Sequence, residues 1–587
     1  MFPTNRRRNA ARVFGFKLVD GRKRKRHFVG RRPPAVTRQW NVTEFPIVPS
    51  PENASSNMGA LKHGISGHLE TPICKQSTLK MKQQWYAPLI GAICGGSICM
   101  SLLDSPYFKD FVHALNPSFN IPSSDTVSRE ILPTVYEEHF DNVCETLDNS
   151  WNVALSIAGW TSEDEISFFT IVAHHTTLYT DRVRSSFLAC RDFGYDSTAE
   201  EIALWLDDVS QKFDIRPQTD CIVTDDNPKL IAAITLSKLD VEHFCCFEIS
   251  FGFVIEKALH DVLQPKVATV NEIVEWLTTN AKTAKDFGEA QLKLCFSKQQ
   301  RKLDDGPASW QSTLDLLNWF QSNKLAIVLT LATSQTSYAW TESDWTVLEQ
   351  SLKILNICRL AFDRICSEKY FALSIMNVVC KELKRKFSSF MQDTELLAEV
   401  HALVCVLDGA LSEKLEVVWQ SPLVAETTLL DPRIKKHGFT SNDEMFNVVY
   451  ESVNKELLMY HKSSDYTSTT CNFDDPLLGE LRQRIEENRN PKTAMKNQLD
   501  SYLSASCLDL DADPLQWLCY YERNYQGIFP LAMKTIAIPV KTTHSDKKFS
   551  KLAPENIEEL YELYPENWKE ILFIGQNMRE DVERFND

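Results

Sequence analysis

The hydrophobic period of this chain switches near residue 150 and again near 266, and those switches limit the folds open to it. Val153 to Ile157, Ile166 to Ala173 and Arg184 to Ala189 are short apolar runs rich in β-formers. The links between them are short, which favours antiparallel neighbours. An amphipathic stripe follows, with Ile202, Trp205, Leu206, Val209 and Phe213 on one helical face. Cys221 to Thr224 reads as a fourth strand, residues 229–239 as a helix, and His243 to Phe247 as a fifth strand.

Three antiparallel strands, then helix, strand, helix, strand, is the element order of an RNase H-like α/β domain. From about 266 to 510 the pattern is helical throughout, as in Leu314, Leu317 and Phe320 or Leu348, Leu352 and Leu355. Upstream, Phe108, Phe111, Val112 and Leu115 recur at helical spacing before Asn116-Pro117 stops the run. The expected fold class is therefore α/β plus all-α: an RNase H-like core interrupted by a large helical insertion. The expected divisions are 1–80, a basic and mostly disordered arm; 81–149, a helical region; 150–265, the first part of the core; 266–510, the insertion; and 511–587, the piece that completes the core.

Charge separates the arm from the body. The whole chain carries −16, residues 1–40 hold 13 Lys/Arg against the single acid Asp20, a local +12, and −28 remains on the rest. Arg22, Lys23, Arg24, Lys25 and Arg26 form a compact run of the kind used for nuclear import or DNA backbone contact. An acidic body disfavours broad DNA contact, because phosphate binding relies on Lys/Arg neutralisation. The most apolar stretch, Tyr86 to Leu103, contains Pro88 and three glycines, so no membrane span is expected. No secretory signal is expected either, since the basic start has no apolar segment after it. The 16 cysteines are scattered without a CxxC, which favours reduced thiols and no structural metal.

Seven blocks in order, over about 110–565, resemble hAT-family DNA transposases and their BED zinc-finger-associated relatives. They include Ala158-Gly-Trp-Thr-Ser162, Val223-Thr-Asp-Asp226, Trp310-Gln-Ser312 and Leu429-Leu-Asp-Pro-Arg-Ile-Lys435. Phe111 to Ser124 precedes them; Asp513-Pro-Leu-Gln-Trp517 with Phe529-Pro-Leu-Ala532, and Ser545 to Ser550, follow. Strand transfer of this type uses two divalent cations held by carboxylates. The resemblance implies an Asp on the first strand, an Asp at the end of the fourth and a Glu near the C-terminus. Those positions fall at Ala158, where a methyl cannot ligate a metal, at Asp225 with Asp226 beside it, and at Asp546 on a shorter stem. A family His falls at Ile249 and a family Arg at Ser309, and no four-ligand BED set is present.

The expectation is a domesticated, catalytically inactive nuclear protein without cofactors. It would act through homodimerisation or pairing with a related transposase-derived protein, and through DNA contact by the arm. A DNA-binding transcriptional regulator and an active transposase are the alternatives. Trp310 reads either as core packing or as a DNA-base contact. Trp517, Pro530, Ile557, Leu560 and Tyr564 fall in the block that the resemblance assigns to dimerisation, and the last three also read as a core stripe. His174 and His175 are neighbours on a strand, so at most one is expected to face inward.

Overall fold

Alternate residues of the first strand enter two different cores, and this layering organises the molecule. Along β1 (Ser150–Thr161), Val153, Leu155 and Ile157 join one buried cluster, whereas Ala154 joins another. The computed structural model describes residues 86–583 apart from 97, 178–181, 195–196, 295–308, 335–337, 339, 440–443, 462–479, 481–490 and 543–551. These residues belong to one unit, Thr71–His461 with Ser468–Asp587. The basic run Arg22–Arg26 and Asp546 lie outside them.

The chain forms a mixed α/β structure, mostly helical, around one five-stranded sheet. β1 pairs antiparallel with β2 (Ser167–Thr177), which pairs antiparallel with β3 (Val183–Phe193). On its other side β1 pairs parallel with β4 (Thr219–Thr224), which pairs parallel with β5 (Glu242–Cys245), giving the order β3-β2-β1-β4-β5. The short links do produce the antiparallel pairs. β1 runs on through Gly159 and Trp160, beyond the run that ended at Ile157, because Thr161 still pairs with Ser167. Gly159 is required there: a Cβ would meet the Phe169 ring of β2 at 2.4 Å.

One cluster against the sheet draws on the Leu132–Asp148, Ala199–Lys212, Pro228–Leu236 and Trp568–Glu583 helices. The Phe247–Ala258 helix and the following helical region form the other. Helix therefore begins at Phe247, earlier than the expected 266, and β5 ends at Cys245 because Cys246 turns the chain by donating its N–H to Thr224 O. The Pro106–Leu115 helix forms as the spacing predicts, but it buries no residue: Phe111 and Leu115 are exposed.

Cover on both sheet faces also corrects the expectation for the histidine pair. His175 is fully buried and His174 nearly so. Each is held by two hydroxyls: His174 by Ser156 and Ser185, His175 by Ser150 and Ser186. Burial, with Arg184 and His174 nearby, pushes His175 down to about 3.

The Leu429–Lys435 block is an ionic knot. Asp431 accepts from the Arg433 backbone N–H, Nε and Nη2, each at 3.0 Å. Arg433 also reaches Glu368 and the Tyr370 carbonyl. Lys435, buried with φ 52°, donates to the Ala505 and Ser506 carbonyls and lies over the Tyr502 and Trp517 rings. Burial lowers the Lys435 pKa, and the aromatic faces offset part of the lost hydration.

Arg433→Ala takes the guanidinium from the buried Asp431 and the half-buried Glu368 and is expected to lower unfolding stability by about 3–5 kcal/mol in urea denaturation. A loss below about 1 kcal/mol would contradict the knot. For His175 the unfolded side chain titrates near 6.5 and the folded one near 3. The unfolded state alone gains the proton between those values, so stability falls as pH drops from 6.5 towards 3. A His175→Gln variant should lose less stability than the parent across that window.

Candidate functional site

The position where two strands end is where an α/β sheet offers backbone and side chains to a ligand. β1 and β4 run parallel, and their last paired residues are Ile157 and Thr224. One step further, Ala158 and Asp225 come alongside each other. The Asp225 carboxylate accepts the Gly159 N–H at 2.9 Å through Oδ2 and the Thr542 hydroxyl at 2.6 Å through Oδ1. Thr542 arrives on the C-terminal return, which is fixed by two further contacts. Phe247 N–H donates to the Val540 carbonyl at 2.7 Å, and Thr542 N–H points at Cys246 Sγ at 3.5 Å.

These residues border an open cleft of about 650 Å³, lined among others by Gly159, Asp225, Asp226, Glu248, Ile249 and Thr542. Asp225 is nearly buried, whereas Asp226 is exposed beside it. Asn227 caps the next helix by accepting from Lys229 and Leu230 N–H, which sharpens the turn after Asp226. Glu248 on the rim was not singled out from the sequence. Its only signal in the sequence is that it directly precedes Ile249.

The expected carboxylate at the first position is a methyl in space as well: Ala158 is fully buried, opposite Thr170 on β2. Two divalent cations would need convergent carboxylates. Among the described residues the cleft is lined by the carboxylates of Asp225, Asp226 and Glu248, and both Asp225 oxygens accept hydrogen bonds from the protein. Ile249 faces the cleft where an imidazole would offer a nitrogen. Ser309 is the N-cap of the Trp310–Ser322 helix, in a reciprocal box with Ser312.

Trp310 is a correction to the base-contact reading. It is 3% exposed and packs edge-on against Phe362, with ring centroids 5.0 Å apart, and against Phe251. A ring so enclosed has no free face on which a base could stack. The residues expected at a dimer interface are likewise engaged within their own chain. Ile557 is fully buried, and Leu560 and Tyr564 pack on the same core. Trp517 lies against Lys435, Tyr502 and Tyr525, and Pro530 is half-buried. Among described residues downstream of Leu508, Leu510, Tyr520 and Leu563 are the large apolar side chains left exposed.

Two comparisons bear on these features. Residues 498–578 match the hAT family C-terminal dimerisation region. The chain is also similar to the human protein "Zinc finger BED domain-containing protein 4", at 19% identity over 509 residues. That alignment covers 81% of this chain and 42% of the relative, so the chain spans less than half the relative's length. The matched 498–578 region contains Thr542, the partner of Asp225, and the Lys435 cage residues Tyr502 and Trp517.

Asp225→Ala removes the acceptor of both Gly159 and Thr542. It is expected to cost about 1–3 kcal/mol, read as a lower thermal midpoint. Asp225→Asn keeps one acceptor oxygen and should cost less. Equal midpoints for parent and Asp225→Ala would show that the carboxylate does not pin the two segments.

Proposed function

Because the chain belongs to the hAT transposase-derived family, we propose that it is a domesticated, catalytically inactive nuclear protein that works by self-association and contacts DNA through its basic arm. The observation that carries the inactive reading is the pairing of a buried methyl at Ala158 with an Asp225 carboxylate bonded to Gly159 and Thr542. Asp225 in this role joins strand ends to the C-terminal return, each of its oxygens accepting a hydrogen bond from the protein. Ile249 and Ser309 support the same reading, since the groups at those positions have changed in kind.

An RNase H-like core with a helical insertion is the architecture that best fits the strand order. A three-strand antiparallel meander extended by two parallel strands supports that reading. The helices from Phe247 to Ser504 intervene between β5 and the C-terminal return that reaches Asp225. Self-association draws support from the matched dimerisation region. The charge asymmetry supports an arm that makes salt-sensitive, sequence-independent phosphate contacts.

A Mg²⁺-dependent cleavage assay on terminal-inverted-repeat DNA is expected to give no product. Product that disappears in Asp225→Ala would overturn the inactive reading. Light scattering on the full chain should give twice the monomer mass, and a monomer at every concentration would sink self-association. Replacing Arg22, Lys23, Arg24, Lys25 and Arg26 by alanine should abolish nuclear accumulation, and deleting residues 1–40 should abolish low-salt DNA binding. DNA affinity retained by residues 41–587 would point instead to a DNA-reading surface on the body, as a transcriptional regulator would have.

A further inference from the structure

A helix with an apolar stripe ordinarily turns that stripe towards a core. The Pro106–Leu115 helix does the opposite. Tyr107, Phe111 and Leu115 recur every four residues, which places them on one stripe, and they are 86%, 58% and 70% exposed. Leu102, in the turn Met100–Asp104 that leads into the helix, is exposed as well.

The stripe is carried on a fixed element. Before the helix, the Met100 N–H donates to the Tyr564 hydroxyl at 3.1 Å. After it, Ser124 donates its N–H and its hydroxyl to the Asp104 carboxylate. Underneath, the half-buried Phe108 packs on a cluster that contains Met100, Leu103, Ile571 and Ile574. Tyr564, Ile571 and Ile574 belong to the matched dimerisation region, 498–578. That region's own Trp517, Ile557 and Leu560 are taken up inside the chain. The helix therefore continues the packing of the dimerisation region outwards and ends it in an uncovered apolar face.

Spacing and charge both fit a second copy of this chain on that face. The stripe is symmetric about Phe111, so it is self-complementary across a two-fold axis. In antiparallel packing Phe111 meets the partner's Phe111, and Tyr107 meets the partner's Leu115. Aromatic side chains of this kind are favoured at the centre of protein interfaces. The body carries −28, so two copies repel over most of their surface. The Pro106–Leu115 helix holds one Lys109 and one Asp110, a net of zero. A neutral face gives a strongly basic or acidic partner no hold, and it spares two like copies the repulsion that their other faces would meet.

We propose that the Tyr107, Phe111 and Leu115 stripe is the contact between two copies of this chain, packed antiparallel about a two-fold axis at Phe111. This placement rests on the self-association proposed above and puts the contact on a helix outside the matched region.

The test uses the full chain and light scattering across a dilution series. Phe111→Asp sets a carboxylate on each side of the axis and should raise the dimer Kd at least about thirtyfold. Tyr107→Asp, at the most exposed of the three positions, should act in the same direction, and unchanged thermal midpoints check that both variants are folded. Tyr520→Asp, exposed within the matched region, should leave the Kd unchanged. Under mild oxidation Phe111→Cys should link to itself between copies, read by peptide mass spectrometry. A parent dimer that Phe111→Asp and Tyr107→Asp leave intact would overturn the placement and keep self-association, as would a dimer that Tyr520→Asp alone dissociates. Failure of Phe111→Cys to link within an intact dimer would overturn the axis at Phe111. A parent that is monomeric at every concentration would instead sink the self-association beneath it.

Discussion

A buried guanidinium shared between two carboxylates is the interaction on which the C-terminal half depends. Arg433 sits between Asp431 and Glu368 with its side chain 2% exposed. Charges this deep are tolerated only when each lone pair and N–H has a partner, and Asp431 alone receives three donors from Arg433. Two residues on, Lys435 reaches back to the carbonyls of Ala505 and Ser506. The knot thus ties the end of the Glu342–Cys366 helix to the start of the matched dimerisation region. Tyr502 adds its hydroxyl to the Leu430 carbonyl and its ring to the Lys435 ammonium.

With that junction fixed, the remaining C-terminal chain can reach the sheet. The Ile528–Thr535 helix receives the Thr176 hydroxyl of β2 at the Met533 carbonyl, and Thr542 then arrives at Asp225. Further on, Asn577 accepts from Phe187 N–H of β3 and donates to its carbonyl. One C-terminal stretch is therefore stitched to β2, to the ends of β1 and β4, and to β3. Asp225 fits this picture as one stitch among several. Its two carboxylate oxygens hold the Gly159 N–H and the Thr542 hydroxyl.

Much of the sheet was legible because its strands obey local rules. The five apolar runs were visible as β-rich segments, and short links made β1, β2 and β3 antiparallel neighbours. The vacancy at Ala158 was legible for a simpler reason: a methyl cannot ligate a metal wherever it lies. Other readings failed where a residue's environment comes from distant chain. His174 and His175 were expected to divide between inside and outside, but helices cover both sheet faces. Trp310 kept its base-contact reading until Phe251 and Phe362 closed around it. Conversely, Phe111 and Leu115 have the spacing of a core stripe and remain exposed, because periodicity says that a helix has an apolar face and not what covers it.

At the strand ends, sequence by itself determined which side chains are available: Ala158, Asp225 with Asp226, and Ile249. It also determined the order of strands and helices, since backbone period follows from neighbouring residues. Tertiary structure alone decided what Asp225 does. Its partner Thr542 lies 317 residues away, and the Gly159 N–H lies across a parallel strand pair. Hydrogen-bond partners at such separation are set by how the helices bring the chain back, and no local pattern records that return.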